Sequence, residues 1–287
     1  MIYIITPVFN RMDLTKNYLI ALRNQTNKNF KIIIVDDGST DGTVDLIESC
    51  FPEVILLKKK GNLWWAEATN IGVKHALKEG ASYIMTLNDD TIPFKDYIEK
   101  MYYWIEKEKN ALLGAFAVDV HTNKAVFGGE LLNWRSGKYE NVLNGIALEE
   151  RYGLKEVNVF PGRGLLIPTK VFQDIGFYDS KNFPQTVSDL DFTCRAYSAG
   201  YKIYCNYDAK IKIYTNESAT ISLRENKSLK KYFQHLFGIK GGGNLKWFII
   251  FSLKNAPKKY LIFYMFRGIL ARVLGYPRDW IKDLVRK

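Results

Sequence analysis

Cysteine and histidine are scarce, three of each among 287 residues. Cys50, Cys194 and Cys205 are odd in number and stand at no metal-binding spacing, so they read as small buried hydrophobes in a reduced, cytoplasmic setting. His75, His121 and His235 are scattered and carry no assigned chemistry. There is no internal repeat and no low-complexity tract. No basic leader or cleavage site fits around the apolar run IYII at Ile2, so no signal peptide is expected. No apolar run reaches the roughly 20 residues that a membrane span needs. Arg267 and Arg272 interrupt the best candidate, Tyr260–Leu274. Acid is nearly missing from the end of the chain: from Lys227 onward there are 14 Lys and Arg against 2 Asp and Glu. Residues 1–226 hold 27 basic and 28 acidic groups, so a neutral body carries a strongly basic tail.

What is present supports a sizeable core, with 47% hydrophobic and 14% aromatic residues, in one large domain or one domain with an appendage. The first half alternates short Ile/Val/Leu-rich runs (Ile2–Thr6, Lys31–Asp36, Val54–Lys58, Ser82–Leu87) with helical apolar spacing (Leu14–Gln25, Thr43–Cys50, Ala66–Lys78). This rhythm predicts a mostly parallel α/β sheet with helices on both faces. From about Leu112 a mixed subregion is expected, with short strands at Ala115–Val120, Val157–Phe160 and Leu165–Pro168, a helix over Val187–Ala199, then strands at Lys202–Cys205 and Lys210–Tyr214. The tail reads as helices at Leu245–Leu253 and Tyr260–Leu274. The expected division is a catalytic domain over 1–226, with halves 1–111 and 112–226, and a tail over 227–287.

In parallel sheets ligands bind at the carboxyl ends of the strands, and three of those ends are polar. TPVFN places Pro7 just past the first strand and exposes Asn10. DDGST ends the second strand with Asp36 and Asp37, which can cap a turn or accept from a base or a ribose hydroxyl. Asp41 and Gly42 read as an ordinary turn. LNDDT ends the fourth strand, where Asp89 and Asp90 form either a solvated turn or a seat for a hard cation such as Mg²⁺ or Mn²⁺ on a diphosphate. In GNLWWAEATNIG, Gly61 and Asn62 suit a tight turn, Trp64 and Trp65 are stacking or core residues, and Asn70 needs a partner inside a helix. Far downstream, VSDLDFTCRA puts Asp189 and Asp191 at a helix start. There they can simply complement the dipole, or one can deprotonate an acceptor hydroxyl.

Taken in order over roughly residues 1–220, TPVFN, VDDGSTDGT, GNLWWAEATNIG, LNDDT, FPGRGLLIP and SDLDFTCRA resemble glycosyltransferase family 2, with its GT-A fold. The resemblance implies inverting transfer of a sugar from a nucleotide diphosphate to a hydroxyl. It also implies roles for particular residues. Thr6, Pro7, Asn10, Asp36 and Asp37 would hold the nucleoside, with Asn62, Trp64 and Asn70 near the base or sugar. Asn88, Asp89 and Asp90 would stand at the family's Asp-x-Asp motif, with Asp90 as the best metal ligand and Asp89 beside it. Gly162, Arg163 and Gly164 would shape the acceptor side. Asp189 would be the general base, and Asp191 and Arg195 would support it. The sequence departs from the pattern at two places. Asn88 replaces an acid, and Thr215 stands where many members carry a histidine, which leaves diphosphate contacts to other groups such as tail lysines.

The LWWAEATN and NDDT variants look like those of bacterial polysaccharide and rhamnosyltransferase-like enzymes, implying a UDP- or dTDP-sugar donor and a glycan or lipid-linked glycan acceptor. The basic tail is read either as an interfacial amphipathic helix, placing the protein at the inner face of the cell membrane, or as an ordinary helical cap. Three other functions compete. A sugar-phosphate nucleotidyltransferase would need a Gly-rich basic loop that TPVFNR lacks. A degenerate binding or scaffolding member would keep the fold without turnover. Nucleic-acid binding would need a base-reading motif that is not recognisable here.

Overall fold

In the computed structural model of the chain, residues 1–215 and 227–285 are described. The first half runs β1 (Ile2–Val8), α1 (Met12–Arg23), β2 (Phe30–Asp36), α2 (Thr43–Cys50), β3 (Val54–Lys58), α3 (Trp64–Lys78) and β4 (Tyr83–Thr86). β1 pairs in parallel with β2 and β4, and β2 pairs in parallel with β3. β1 is buried along nearly its whole length, as a central strand covered on both faces must be. Its alternate residues feed two cores. Tyr3 and Ile5 join Ile33, Val35 and the inner side of α3. Ile2 and Ile4 join Ile32, Ile34 and the buried Tyr18, Leu19 and Leu22 of α1. Each such aliphatic side chain contributes about 1.5–3 kcal/mol on burial. Gly72 lets α3 lie close on β1, since a Cβ there would meet Cγ2 of Ile5 at 2.4 Å.

The chain continues through β5 (Thr91–Pro93), α4 (Tyr97–Lys107), β6 (Leu112–Asp119), β7 (Ala125–Phe127), the hairpin β8 (Glu130–Asn133) and β9 (Lys138–Asn141), β10 (Leu154–Val157), β11 (Leu165–Pro168), α5 (Thr169–Ile175), α6 (Ser188–Ser198) and β12 (Ile203–Ile213). The main sheet runs β10-β12-β6-β11-β4-β1-β2-β3. β11 enters antiparallel between β4 and β6, so the sheet is mixed but mostly parallel. Two expected strands are one: β12 continues across the polar stretch NYDA, with a register shift between Asn206 and Lys210. The shift survives because its polar groups find distant partners. The Tyr207 phenol donates to the Gly128 carbonyl at 3.0 Å, and Asp208 accepts from the indole of Trp104 at 2.8 Å.

The basic tail folds into α7 (Leu229–Phe237), α8 (Leu245–Asn255) and α9 (Lys258–Val285). It packs on the body through a third core in which Trp247, Phe248, Phe251 and Tyr264 meet Leu132, Val159, Phe183 and Cys194. α9 passes Leu274, where a stop is expected, and runs through Gly275 and Pro277. Proline has no N–H for the carbonyl four residues back. That carbonyl, on Val273, instead accepts from the Tyr232 hydroxyl of α7 at 2.9 Å, which lets the helix continue. Among the described residues, no helix is long and apolar enough to cross a membrane.

Candidate active site

The carboxyl ends of β1, β2 and β4 open on a cleft of about 310 Å³. Pro7, Asp37, Asn62, Trp64, Asn88, Asp89 and Asp90 all line it, so residues far apart in sequence meet here. Thr6, Asn10, Asp36 and Asn70 do not line it. Thr6 is buried, its hydroxyl 2.6 Å from the Tyr18 phenol. Asp36 is buried and accepts from the N–H groups of Gly38 and Ser39, which shapes the turn rather than a ligand. Asn10, at φ 50°, accepts from Thr40 N–H and ties the β1–α1 turn to the β2–α2 loop. Asn70 is also buried, and its side-chain amide makes both available backbone bonds to Tyr178, at 2.9 and 3.0 Å. The polar helix residue therefore has its partner in the protein, and it locks α3 to the segment before α6.

Asp37 works at the cleft wall. Its carboxylate accepts from the N–H groups of Leu63 and Trp64, capping the start of α3 at 3.0–3.1 Å. That turn is strained: Asn62 and Trp64 have φ of 67° and 61°, a region that a bulky side chain rarely enters. The turn aims the next residue, Trp65, across the cleft floor. Its indole N–H donates to Asn88 Oδ1 at 3.0 Å, and its backbone N–H donates to Gln185 at 3.2 Å.

Asp89 and Asp90 share a cation from the chain itself. Arg11 Nη1 lies 3.0 Å from Asp89 Oδ1 and 3.0 Å from Asp90 Oδ2. Asp89 is buried and also accepts from the Thr15 hydroxyl at 3.3 Å. Burial pushes its carboxyl up to about 6, against the pull of Arg11.

Asp189 sits in the first turn of α6, preceded by Val187 at φ 74°. Its Oδ2 accepts from Gly162 N–H at 3.0 Å and its Oδ1 from Leu190 N–H at 2.9 Å. Burial raises its pKa above the ordinary carboxylate range, while those backbone donors and the nearby Arg163 oppose the rise. Gly162 lies between this acid and Trp65: a Cβ at 162 would stand 2.5 Å from the indole and 3.5 Å from Asp189 Cβ. Gly164, at φ 77°, bridges strands, donating to Thr86 and accepting from Ala115. Glu130, on β8, has its own pKa raised by burial and by the charge of Asp189.

Asp191 faces away from solvent and is fully buried. Arg195 pairs with it at 2.9 Å, Lys254 at 3.0 Å, and Asn255 donates to it at 2.9 Å. The other guanidinium nitrogens of Arg195 donate to the carbonyls of Ile175 and Phe177. Removing one partner of such a buried pair generally costs about 3–5 kcal/mol. The pair thus clamps α6 between the α5 turn and α8.

The architecture also matches solved proteins. TarS of S. aureus, in a structure with UDP-GlcNAc, superposes with a TM-score of 0.62 at 13% identity, covering 98% of this chain and 92% of that one. Likeness at that identity shows the fold, GT-A. A glycosyltransferase of Rickettsia bellii is 27% identical over 192 residues, and GlyA of Streptococcus pneumoniae is 26% identical over 184. Those alignments take in 67% and 61% of this chain but only 25% of each relative, so the chain spans a fraction of their length. The model of the family described as "Glycosyl transferase family 2" matches residues 3–176, more than half of the chain. The chain belongs to glycosyl transferase family 2.

In the family 2 fold Arg11, Gln185 and Lys240, which no motif singled out, join the cleft, and Trp65, expected as a stacking or core residue, lines it as well. Lys240 comes from the Gly-rich loop between α7 and α8, so a tail lysine lines the cleft. Thr215 donates to Asp119 at 2.5 Å and is not among the cleft residues. No local signal marks Gln185 or Lys240, because each reaches the cleft through tertiary packing. The one visible hint for Arg11 is its place directly after TPVFN.

The cation expected of the family has a partial seat. Among the described residues, no group of three or more His, Cys, Asp or Glu converges on one point. The carboxylates of Asp89 and Asp90 do converge on a single positive group, Arg11 Nη1. A site of one or two carboxylates completed by substrate phosphates is the usual way Mg²⁺ is held, so these residues fit such an ion. Asn88 contributes less than expected, because its carbonyl oxygen already accepts from Trp65.

Proposed function

We propose that this family 2 protein transfers a sugar, with inversion, from a nucleotide diphosphate to a hydroxyl of a glycan or lipid-linked glycan in cell-surface polysaccharide synthesis. The observation that carries the reading is the link Asn88–Trp65–Gly162–Asp189. It sets an acid of raised pKa at a fixed offset from the two carboxylates that would face the diphosphate. Asp90 and Asp89 would hold a divalent cation, which supplies charge stabilisation to the departing diphosphate. Arg11 and Lys240 add positive charge at the same cleft. Asp189 accepts the proton of the attacking hydroxyl, and its two backbone donors keep the carboxylate oriented. Trp64 offers a ring at the cleft wall for the base or the sugar. A UDP donor is favoured over others because a TarS structure of the same fold carries UDP.

A thermal-shift screen with UDP-, dTDP- and GDP-sugars, with and without Mn²⁺, tests the donor side. A UDP- or dTDP-sugar is expected to raise the melting temperature, with linked release of free nucleotide when acceptor is added. Stabilisation by a donor without any turnover across an acceptor panel would favour the binding-protein alternative instead.

The tail is proposed to dock on an anionic membrane face. Ile262, Phe266, Leu270 and Leu274 repeat at helical spacing along α9 and are all exposed, with Ile262 84% exposed. Lys258, Lys259 and Arg267 flank this stripe, and Arg135 and Arg267 share a surface pocket with Tyr260 and Phe263. An apolar stripe rimmed by basic groups is the pattern of an interfacial helix. Flotation with phosphatidylglycerol vesicles is expected to carry the wild type. Ile262→Ser/Phe266→Ser should lose flotation without losing donor binding. Equal flotation of the two would count against this face.

A further inference from the structure

We propose that Arg11 is the resident cation of the Asp89–Asp90 pair, and that a divalent metal ion reaches these carboxylates only by displacing it. The proposal rests on the reading of this cleft as a nucleotide-sugar site. One nitrogen of Arg11 donates to both carboxylates at 3.0 Å, and so occupies the point on which they converge. The arrangement is built rather than casual. The backbone beside Arg11 is pinned on both sides, by Asn10 to the loop residues Ser39 and Thr40 and by Met12 N–H to Asp41. Asp89 is only 4% exposed, so its charge needs a partner at all times. The Arg11 side chain is 42% exposed and lines the cleft, so its head can leave while its backbone stays.

A metal ion and the guanidinium cannot hold the same two oxygens at once. Displaced by an ion, Arg11 stays in the cleft, where its planar fork matches a phosphate. Donor and metal would then favour each other, because the diphosphate receives the cation that the metal ejects. The two acids, one of them buried, would never be left without a counter-charge.

The test is Mn²⁺ affinity without nucleotide, read by the EPR signal of free Mn²⁺. Arg11→Gln is expected to bind Mn²⁺ at least about tenfold more tightly than wild type, the scale of the charge-assisted hydrogen bonds it no longer makes. Adding Asp90→Asn to that variant should abolish the gain. Equal or weaker binding by Arg11→Gln would overturn the proposal, and so would a gain that survives Asp90→Asn. If Arg11→Gln does not fold, the wild type suffices. Mg²⁺ should shift one arginine side-chain ¹⁵N resonance, assigned by its absence in Arg11→Lys. Mg²⁺ binding with every arginine signal unmoved would also overturn the proposal. UDP and dTDP titrated into the same proteins separate the two ideas: failure to bind either nucleotide rejects the nucleotide-sugar reading, whereas the Mn²⁺ arms alone decide the role of Arg11.

Discussion

Asp189→Asn is expected to lower turnover by about 10²-fold or more while leaving donor binding intact, the usual scale for loss of a general base. The substitution keeps the shape of the side chain and one oxygen, enough for one of the two N–H bonds from Gly162 and Leu190, while the buried Asp191 network still holds α6 in place. What it removes is the ability to take a proton. Burial holds the Asp189 pKa above that of an ordinary carboxylate, which makes it a stronger base than an exposed aspartate. The sign of the pH dependence follows. The base works only when ionised, so turnover should fall as pH drops through its raised pKa and level off above it. The charge of nearby Arg163 opposes the rise and so holds that limb at lower pH than burial alone would. The measurement is a kcat–pH profile of both proteins with saturating donor. The residual activity of the Asn variant should lack the acid limb. Turnover near that of wild type would remove Asp189 from the chemistry.

Gly162→Ala is expected to damage both halves of the site at once, cutting kcat/KM by about 10²-fold, since a misplacement near 1 Å is enough for that loss. The new Cβ would lie 2.5 Å from the Trp65 indole and cannot stay there. The indole is not free to yield. It packs edge-on against Tyr178 at 5.2 Å and donates to Asn88 at 3.0 Å. Pushing it away breaks the Asn88 bond beside Asp89 and Asp90. Pushing the backbone away instead lengthens the Gly162 N–H bond to Asp189. The expected signature is weaker UDP binding by calorimetry together with lower kcat. A variant with wild-type kinetics would show that the tryptophan does not couple the two sides. Backbone strain is not the issue here, as Gly162 φ is not in the left-handed region and only space forbids the methyl group.

Much of the fold was legible in local pattern. The alternation of β-branched runs with helical spacing places β1 to β4 and α1 to α3, because a strand buried on both faces and a helix with one apolar stripe leave distinct periodicities. The polar ends TPVFN, DDGST and NDDT announce the edge where β1, β2 and β4 open, since parallel strands bring their carboxyl ends together. Boundaries failed where a distant group overrode a local one. β12 runs through NYDA because Gly128 and Trp104 satisfy its polar side chains. α9 runs through Pro277 because Tyr232 takes the carbonyl that proline abandons.

Within the site the same division holds. Which residue types stand at the strand ends, and that the tail is basic, follows from composition and chain direction, which are local properties. What each polar group bonds to follows from packing between distant segments. That packing turned Asn70 inward to Tyr178 and Asp191 to Arg195 and Lys254. It brought Lys240 back from the tail to the cleft, and it seated Arg11 between the two acids of NDDT. Hydrogen bonds and ion pairs act over about 3 Å, and which atoms come that close is settled by packing between segments that the linear order keeps far apart.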